Sequence, residues 1–280
     1  MALKHVVVGV VFGVVFGVVF GMIALLGASA AHAGWVIEES NITTRPKGEP
    51  GPAEPATTRI SQGRMRITQP STITVQDQVK QRFTIFVTDR NTYWSGTVDE
   101  YVAEIGADRH PAKPSANVTK KEQKNAAPAK RPRKSPLDVA NLPKITIRKF
   151  DEHAKIAGYD TTLYQIDSNG KRFQEIWMTD AINMKDDLDP KRYNEYQLKL
   201  SAMMRGAAAP SFNALYRSPE YLTLMQSGFP LKTTVYHIAG SYTREVRSIT
   251  KADVSDGDFE LPSTAQQTSL NDLFGPPPSK

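Results

Sequence analysis

The chain has 280 residues, 40% hydrophobic and 23% charged, with a formal net charge of +6 and no cysteine. That balance belongs to a globular protein with an apolar core of its own. The lack of cysteine excludes disulfides, a thiol nucleophile, cysteine-ligated zinc and the lipidated cysteine of a bacterial lipoprotein. An exported domain of this kind relies on packing alone, which suits a bacterial periplasm better than a eukaryotic extracellular space.

The chain opens Met1-Ala2-Leu3-Lys4-His5, runs apolar from Val6 to Leu26, and continues Ala28-Ser29-Ala30-Ala31-His32-Ala33. A basic start, an apolar centre and a small-residue end predict a secretory signal peptide over residues 1–33, cut before Gly34. The apolar run of 21 residues is longer than the ~7–15 usual for a signal and, at ~1.5 Å per residue, long enough to cross a bilayer as a helix. Glycines at 9, 13, 17 and 21 add overlapping G-x-x-x-G units, a packing face of membrane helices. The alternative to a cleaved signal is therefore a retained inner-membrane anchor. Under both readings the folded domain lies in the periplasm.

Period-two alternation then predicts a series of strands. Trp35 and Ile37 begin the first, and Pro46 to Pro52 forms a proline-rich loop before the second. Met65 and Ile67 end a third; Phe83, Ile85 and Val87 share one face of another. Short strands are expected at Thr92 to Ser95 and at Tyr101 to Ile105, around a turn at Ser95-Gly96.

From Arg109 to Lys134 the chain carries nine Lys or Arg against one Glu, a net of +8 in 26 residues that leaves the remainder at −2. Four prolines interrupt this run and Val118 is its one large aliphatic side chain. It cannot bury enough apolar surface to offset its ordering entropy, so residues 107–143 read as a disordered basic insert. Lys120, Lys121, Lys130, Arg131, Arg133 and Lys134 are its candidates for contact with an anionic lipid surface. The plainer reading is a solvated linker. Nucleic acid is disfavoured by export and by the lack of aromatic residues in the run.

After the insert, strands are expected at Ile145 to Phe150, Ile156 to Ile166 and Phe173 to Thr179, the last two joined by a turn at Asp167-Ser168-Asn169-Gly170. Glu175 and Trp177 share a face of the returning strand. Asp189-Pro190 starts a helix that Gly206 ends, with Tyr193, Tyr196, Leu200, Met203 and Met204 on one stripe. Ser218-Pro219-Glu220 starts a shorter helix that Gly228 closes, carrying Tyr221, Leu222, Leu224 and Met225. A hairpin follows, Leu231 to Ile238 and Tyr242 to Ile249. The tail, residues 263–280, ends in a Gly-Pro-Pro-Pro run and reads as disordered, although Leu270, Leu273 and Phe274 form one short apolar face. The expected fold is α+β: a single domain over 34–262 with a curved antiparallel sheet covered by short helices.

The stretch "KIAGYDTTLYQIDSNGKRFQEIWMTD", then "GFPLKTTVY" and "REVRSITKADVSDGDFELP", resembles a bacterial family of domains of unknown function, number 4412. That family is placed in the LolA-like superfamily of periplasmic lipoprotein carriers. The likeness runs from about Gly34 to Pro262 and is sharp in its second half. It implies a half-open β-barrel with a concave apolar face covered by helices, and it implies no catalytic residue and no cofactor. The chain departs from the family pattern in its basic insert, in its proline-rich first loop, and in Thr161-Thr162, where the family often has a cysteine.

Chemistry-bearing motifs are sparse. His110, His153 and His237 lack a second histidine at metal-ligand spacing, and Asp253, Asp256, Asp258 and Glu260 miss the spacing of a calcium loop. No nucleophile elbow, phosphate loop or H-E-x-x-H occurs. Glu175 beside Trp177 has the residue types of a buried general acid, but no partner carboxylate at recognisable spacing. Two functions follow. One is a non-enzymatic carrier or sensor that holds an acyl chain or lipidated polypeptide in a cavity lined by Trp177, Phe83, Ile85, Leu200, Met203, Met204, Leu224 and Met225. The other is an envelope interaction module with a self-filled core, contacting partners through its basic arm or tail.

Overall fold

Alternating burial along the first strands sets one apolar face, and that face organises everything else. The computed structural model describes residues 32–46, 48–107, 141–201 and 208–275. Six strands follow in succession: β1 (His32–Thr44), β2 (Glu54–Ser61), β3 (Arg64–Thr68), β4 (Thr72–Asp77), β5 (Arg82–Val87) and β6 (Thr92–Thr97). A second set comprises β7 (Ile145–Ile156), β8 (Tyr159–Ser168), β9 (Lys171–Thr179), β10 (Phe229–His237) and β11 (Gly240–Val254). With the two-residue β12 (Gln266–Gln267) they form one sheet of twelve strands, ordered β12-β6-β5-β4-β3-β2-β1-β11-β10-β9-β8-β7. Every pairing is antiparallel except that of β12 with β6. The end strands do not pair, so the sheet is open.

Turn chemistry explains the tight connections. Ala157 and Gly158 both have positive φ, as do Asn169 and Gly170, the backbone that two-residue hairpin turns demand. The first pair ends β7 at Ile156 and so divides a stretch that alternation alone reads as one strand from Ile156 to Ile166.

Residues 101–105, expected as a strand, are helical: α1 spans Val98–Ala107. The reason is a capping box. Thr97 N–H donates to Glu100 Oε2 at 2.6 Å, and Glu100 N–H donates to Thr97 Oγ1 at 3.1 Å. Val98, Tyr101 and Val102 then fall on one helical stripe against Phe83, Ile85 and Trp94. No turn forms at Ser95-Gly96, which lies inside β6.

Helix α2 (Pro190–Ser201) starts as its sequence indicates, with Asp189 Oδ1 accepting from the N–H groups of Lys191 and Arg192. Helix α3 (Ala209–Arg217) carries no start signal that the sequence reading used. Helix α4 (Pro219–Ser227) is capped by Ser218, whose hydroxyl accepts from Tyr221 N–H, and Gly228 follows it. Helices α2–α4 lie on one face of the sheet. Leu215, Tyr221 and Leu224 pack on Ile166, Phe173, Ile176 and Met178, and Tyr196 packs on Phe83, Ile85 and Trp94.

The tail differs from its expectation of disorder. Gln266 and Gln267 pair with β6, and α5 (Leu270–Phe274) docks on the core with Leu270 and Leu273 3% and 1% exposed. Ser269 caps this helix, Glu104 accepts from Leu270 N–H, and Arg90 donates to the carbonyls of Asp272, Leu273 and Gly275 at its far end. Two leucines three residues apart, a cap and a terminal cation are enough to order so short a helix on a prepared surface. The basic run 109–134, residues 1–31 of the signal and Gly206 lie outside the described residues.

Candidate functional site

Between the sheet and its helical cover lies a cavity of about 620 Å³. Its floor consists of side chains that alternation places on one face. These are Glu39 and Asn41 from β1, Thr58 and Ile60 from β2, Met65 and Ile67 from β3, Thr74 and Gln76 from β4. Phe83, Gln174, Ile176, Thr233, Val235, Tyr242 and Arg244 continue it across β5, β9, β10 and β11. The roof is Tyr193 of α2, Phe212 and Tyr216 of α3, and Tyr221 and Met225 of α4, with Ile182, Met184 and Leu188 from the loop before α2. Most of this surface is apolar, yet the floor carries polar side chains and, where β1 meets β11, a charged pair.

There Arg244 Nη2 meets the Glu39 carboxylate at 2.6 Å, with Glu39 buried and the Arg244 side chain 33% exposed. Arg244 is half-buried and lines the cavity. Burial disfavours the Arg244 cation, but the Glu39 carboxylate outweighs burial and its pKa rises. Asn41 and Thr233 are its cross-strand neighbours on either side. Burial raises the pKa of the roof phenols Tyr193, Tyr216 and Tyr221, which therefore stay neutral.

The structure distributes the expected cavity residues unevenly. Phe83 and Met225 line the cavity. Ile85 and Leu224 are core residues, and Leu200 packs at the edge of the cluster around Tyr196. Met203 and Met204 lie outside the described residues, as do Lys120, Lys121, Lys130, Arg131, Arg133 and Lys134. Trp177 is the correction. It does not line the cavity, whereas its neighbour Ile176 and Gln174 do. The cause is a bulge: Ile166 pairs with Gln174 but Asp167 with Arg172, leaving Phe173 unmatched. Phe173 and Gln174 are consequently both buried, and the face assigned from Phe173 onward is reversed at Trp177.

Glu175 shares the outer face with Trp177. It accepts from Tyr236 Oη at 2.6 Å and pairs with Arg172 at 3.0 Å, so its carboxyl sits in a surface network away from the cavity. His153 contacts Asp151 and Thr162, and His237 Nδ1 accepts from Ala239 N–H to close the last hairpin. The acidic run before the tail is a turn at Asp256–Phe259, with Asp256 held by Arg64 and Asp258 in a capping box with Ser255. Among the described residues no group of three or more His, Asp or Glu side chains is placed to hold a metal ion. No helix among them is long and apolar enough to cross a membrane.

The polar floor escaped the sequence reading, although it left a signal. Glu39 and Asn41 continue the inward parity of Trp35 and Ile37, and Arg244 sits two residues from the buried Val246. A charge on the apolar parity of a central strand is rare enough to mark a site.

No curated protein matches the chain. Among solved structures, PNGF-II shares 12% identity at a TM-score of 0.36, over 85% of this chain and 31% of that one. MucB in the Pseudomonas aeruginosa MucA/MucB complex shares 11% at 0.33, over 84% and 58%. A putative outer membrane lipoprotein-sorting protein domain from Vibrio parahaemolyticus shares 8% at 0.28, over 81% and 89%. This chain thus spans about a third of the first and under two thirds of the second, and likenesses at these scores carry no argument about its activity. The family model described as "Domain of unknown function (DUF4412)" matches residues 129–264, which hold β7–β11, α2–α4 and the turn at Asp256–Phe259. That segment is similar to the DUF4412 family, and β1–β6 lie outside the match.

Proposed function

We propose that the protein is a non-enzymatic periplasmic carrier or sensor that holds an acyl chain, free or attached to a polypeptide, between its sheet and helices α2–α4. One observation carries this reading: the interior is hollow. A cavity of about 620 Å³ falls within the range of about 300–1,000 Å³ of small-molecule sites. Methionines 65, 184 and 225 among its walls adapt to varied ligand shapes. In this reading the sheet is the half-open barrel of the LolA-like carriers, the signal delivers it to the periplasm, and the basic run 109–134 draws it to anionic lipid.

The test is mass spectrometry of lipids that co-purify with the protein from the envelope of its native host. Acyl lipid in near-stoichiometric amount is expected, and its loss from a Val235→Trp variant that fills the cavity from β10. Folded wild-type protein free of lipid, or equal lipid on the filled variant, refutes the carrier and leaves the interaction module.

A further inference from the structure

Resting on the carrier reading, we infer that the cavity selects an amphiphile with an uncharged head carrying both hydroxyl donors and carbonyl acceptors, as in a monoacylglycerol. The head docks on the part of the floor formed by Arg244, Asn41 and Gln174. Each of the three has hydrogen-bonding capacity that the protein leaves open. Arg244 is ion-paired with Glu39 through Nη2 and donates no further hydrogen bond to a described residue, and its side chain, 33% exposed, lines the cavity. A guanidinium carries five N–H donors, so it still seeks an acceptor. Asn41 Oδ1 and Gln174 Oε1 are buried acceptors with no donor among the described residues, on side chains that line the same cavity. Asn41 is the cross-strand partner of Arg244, and Gln174 and Tyr242 flank Val235 one step along the same sheet.

Buried polar groups are almost always paired, because a lone one carries its full desolvation cost. A site that leaves open a charged donor and two acceptors is therefore shaped for a head that supplies both kinds of partner. Charge decides between candidate heads. The Glu39–Arg244 pair is already neutral, and Glu39 is buried beside it. A carboxylate or phosphate head would bring an uncompensated charge next to the Glu39 carboxylate in a low-dielectric space. An ester or amide carbonyl accepts from Arg244 without that penalty, and adjacent hydroxyls donate to Asn41 and Gln174. The chain then lies along Ile60, Met65 and Ile67, toward Ile182 and Met184.

The experiment uses the full chain and displacement of bound N-phenylnaphthylamine, an uncharged apolar fluorophore, by three ligands of one chain length: monomyristoylglycerol, methyl myristate and myristate. Monomyristoylglycerol is expected to bind about tenfold more tightly than either of the others, the effect of one hydrogen bond to a charged or buried group. Gln174→Leu breaks no hydrogen bond within the protein, so it stays folded while the gap between monomyristoylglycerol and methyl myristate narrows. Glu39→Gln combined with Arg244→Gln removes both charges together and weakens monomyristoylglycerol more than methyl myristate. Equal displacement by all three ligands, a preference for myristate, or an undiminished gap in Gln174→Leu overturns the head-group inference while the carrier stands. Failure of the wild type to bind the fluorophore at all overturns the carrier reading itself.

Discussion

Removing the chain beyond Pro262 should destabilise the domain by about 3–6 kcal/mol. Leu270 and Leu273 are 3% and 1% exposed in the folded state, and burying a leucine side chain is worth about 1.5–3 kcal/mol. The hydrogen bonds lost with them, from Arg90 to three carbonyls and from Asn91 Nδ2 to Thr264, are exposed or partly buried and are left out of this figure. Domain stabilities are about 5–15 kcal/mol, so the loss is a large fraction of the total. With a urea slope of about 2 kcal/mol per molar, the midpoint falls by about 2 M. Urea titration followed by circular dichroism measures it, with Leu273→Ala as a point variant expected to cost about 2–4 kcal/mol. Phe274→Ala is the control: that ring is 60% exposed, and its removal should shift stability by less than about 0.5 kcal/mol. An unchanged midpoint after truncation would show that the tail contributes nothing and that α5 does not dock.

Tyr196 and Tyr221 are buried, and burial raises both pKa values. Their contribution is therefore complete below the unfolded tyrosine pKa of about 10 and is lost as pH rises toward the folded values. Together they should cost about 3 kcal/mol of stability per pH unit above 10. The tyrosinate absorbance that a Tyr196→Phe, Tyr221→Phe double variant lacks should then develop in step with unfolding, and its development on a protein still folded would contradict the burial. Gly240 has φ +122°, and a Cβ there would overlap the Thr44 carbonyl oxygen, so Gly240→Ala should lower Tm by several degrees where Gly158→Ala, with open space around it, costs only local strain. Deleting residues 109–134 should leave Tm nearly unchanged and reduce binding to vesicles containing anionic lipid, binding that weakens with salt in the intact protein. Loss of folding on deletion would place the run inside the core.

Much of the fold is legible because local chemistry and tertiary demand agree. Asn169-Gly170, Asp189-Pro190 and Ser218-Pro219 each satisfy a backbone requirement that any surrounding would impose. Where the reading failed, two local signals competed. Tyr101, Ala103 and Ile105 recur with a period of two as in a strand, but the Thr97–Glu100 box nucleates a helix and Val98 completes its stripe. The tail is polar and proline-ended by composition, and its two leucines matter only because Trp94, Val98 and Tyr196 leave a surface for them. The cavity was harder still. Parity along a strand says which residues share a face but not which face is inward, and the unmatched Phe173 reverses the answer partway along β9. Arg244 and Glu39 are separated by some two hundred residues, and their pairing follows only from the β1–β11 register.

That register also governs how the molecule comes into being. β1 pairs with β2 through a short connection, but its other edge pairs with β11, near the opposite end of the folded chain. Strands β1–β6 form one meander and β7–β11 another, and the seam between β1 and β11 joins them into one sheet. A chain emerging N-terminus first completes the first meander with the β1 edge still bare, and that edge carries Trp35, Ile37 and the uncompensated Glu39. It stays open to pairing with other chains until roughly 150 further residues have brought β11. Formation of the Glu39–Arg244 pair thus reports closure of the seam between the two meanders, and the cavity floor exists only once that seam has closed.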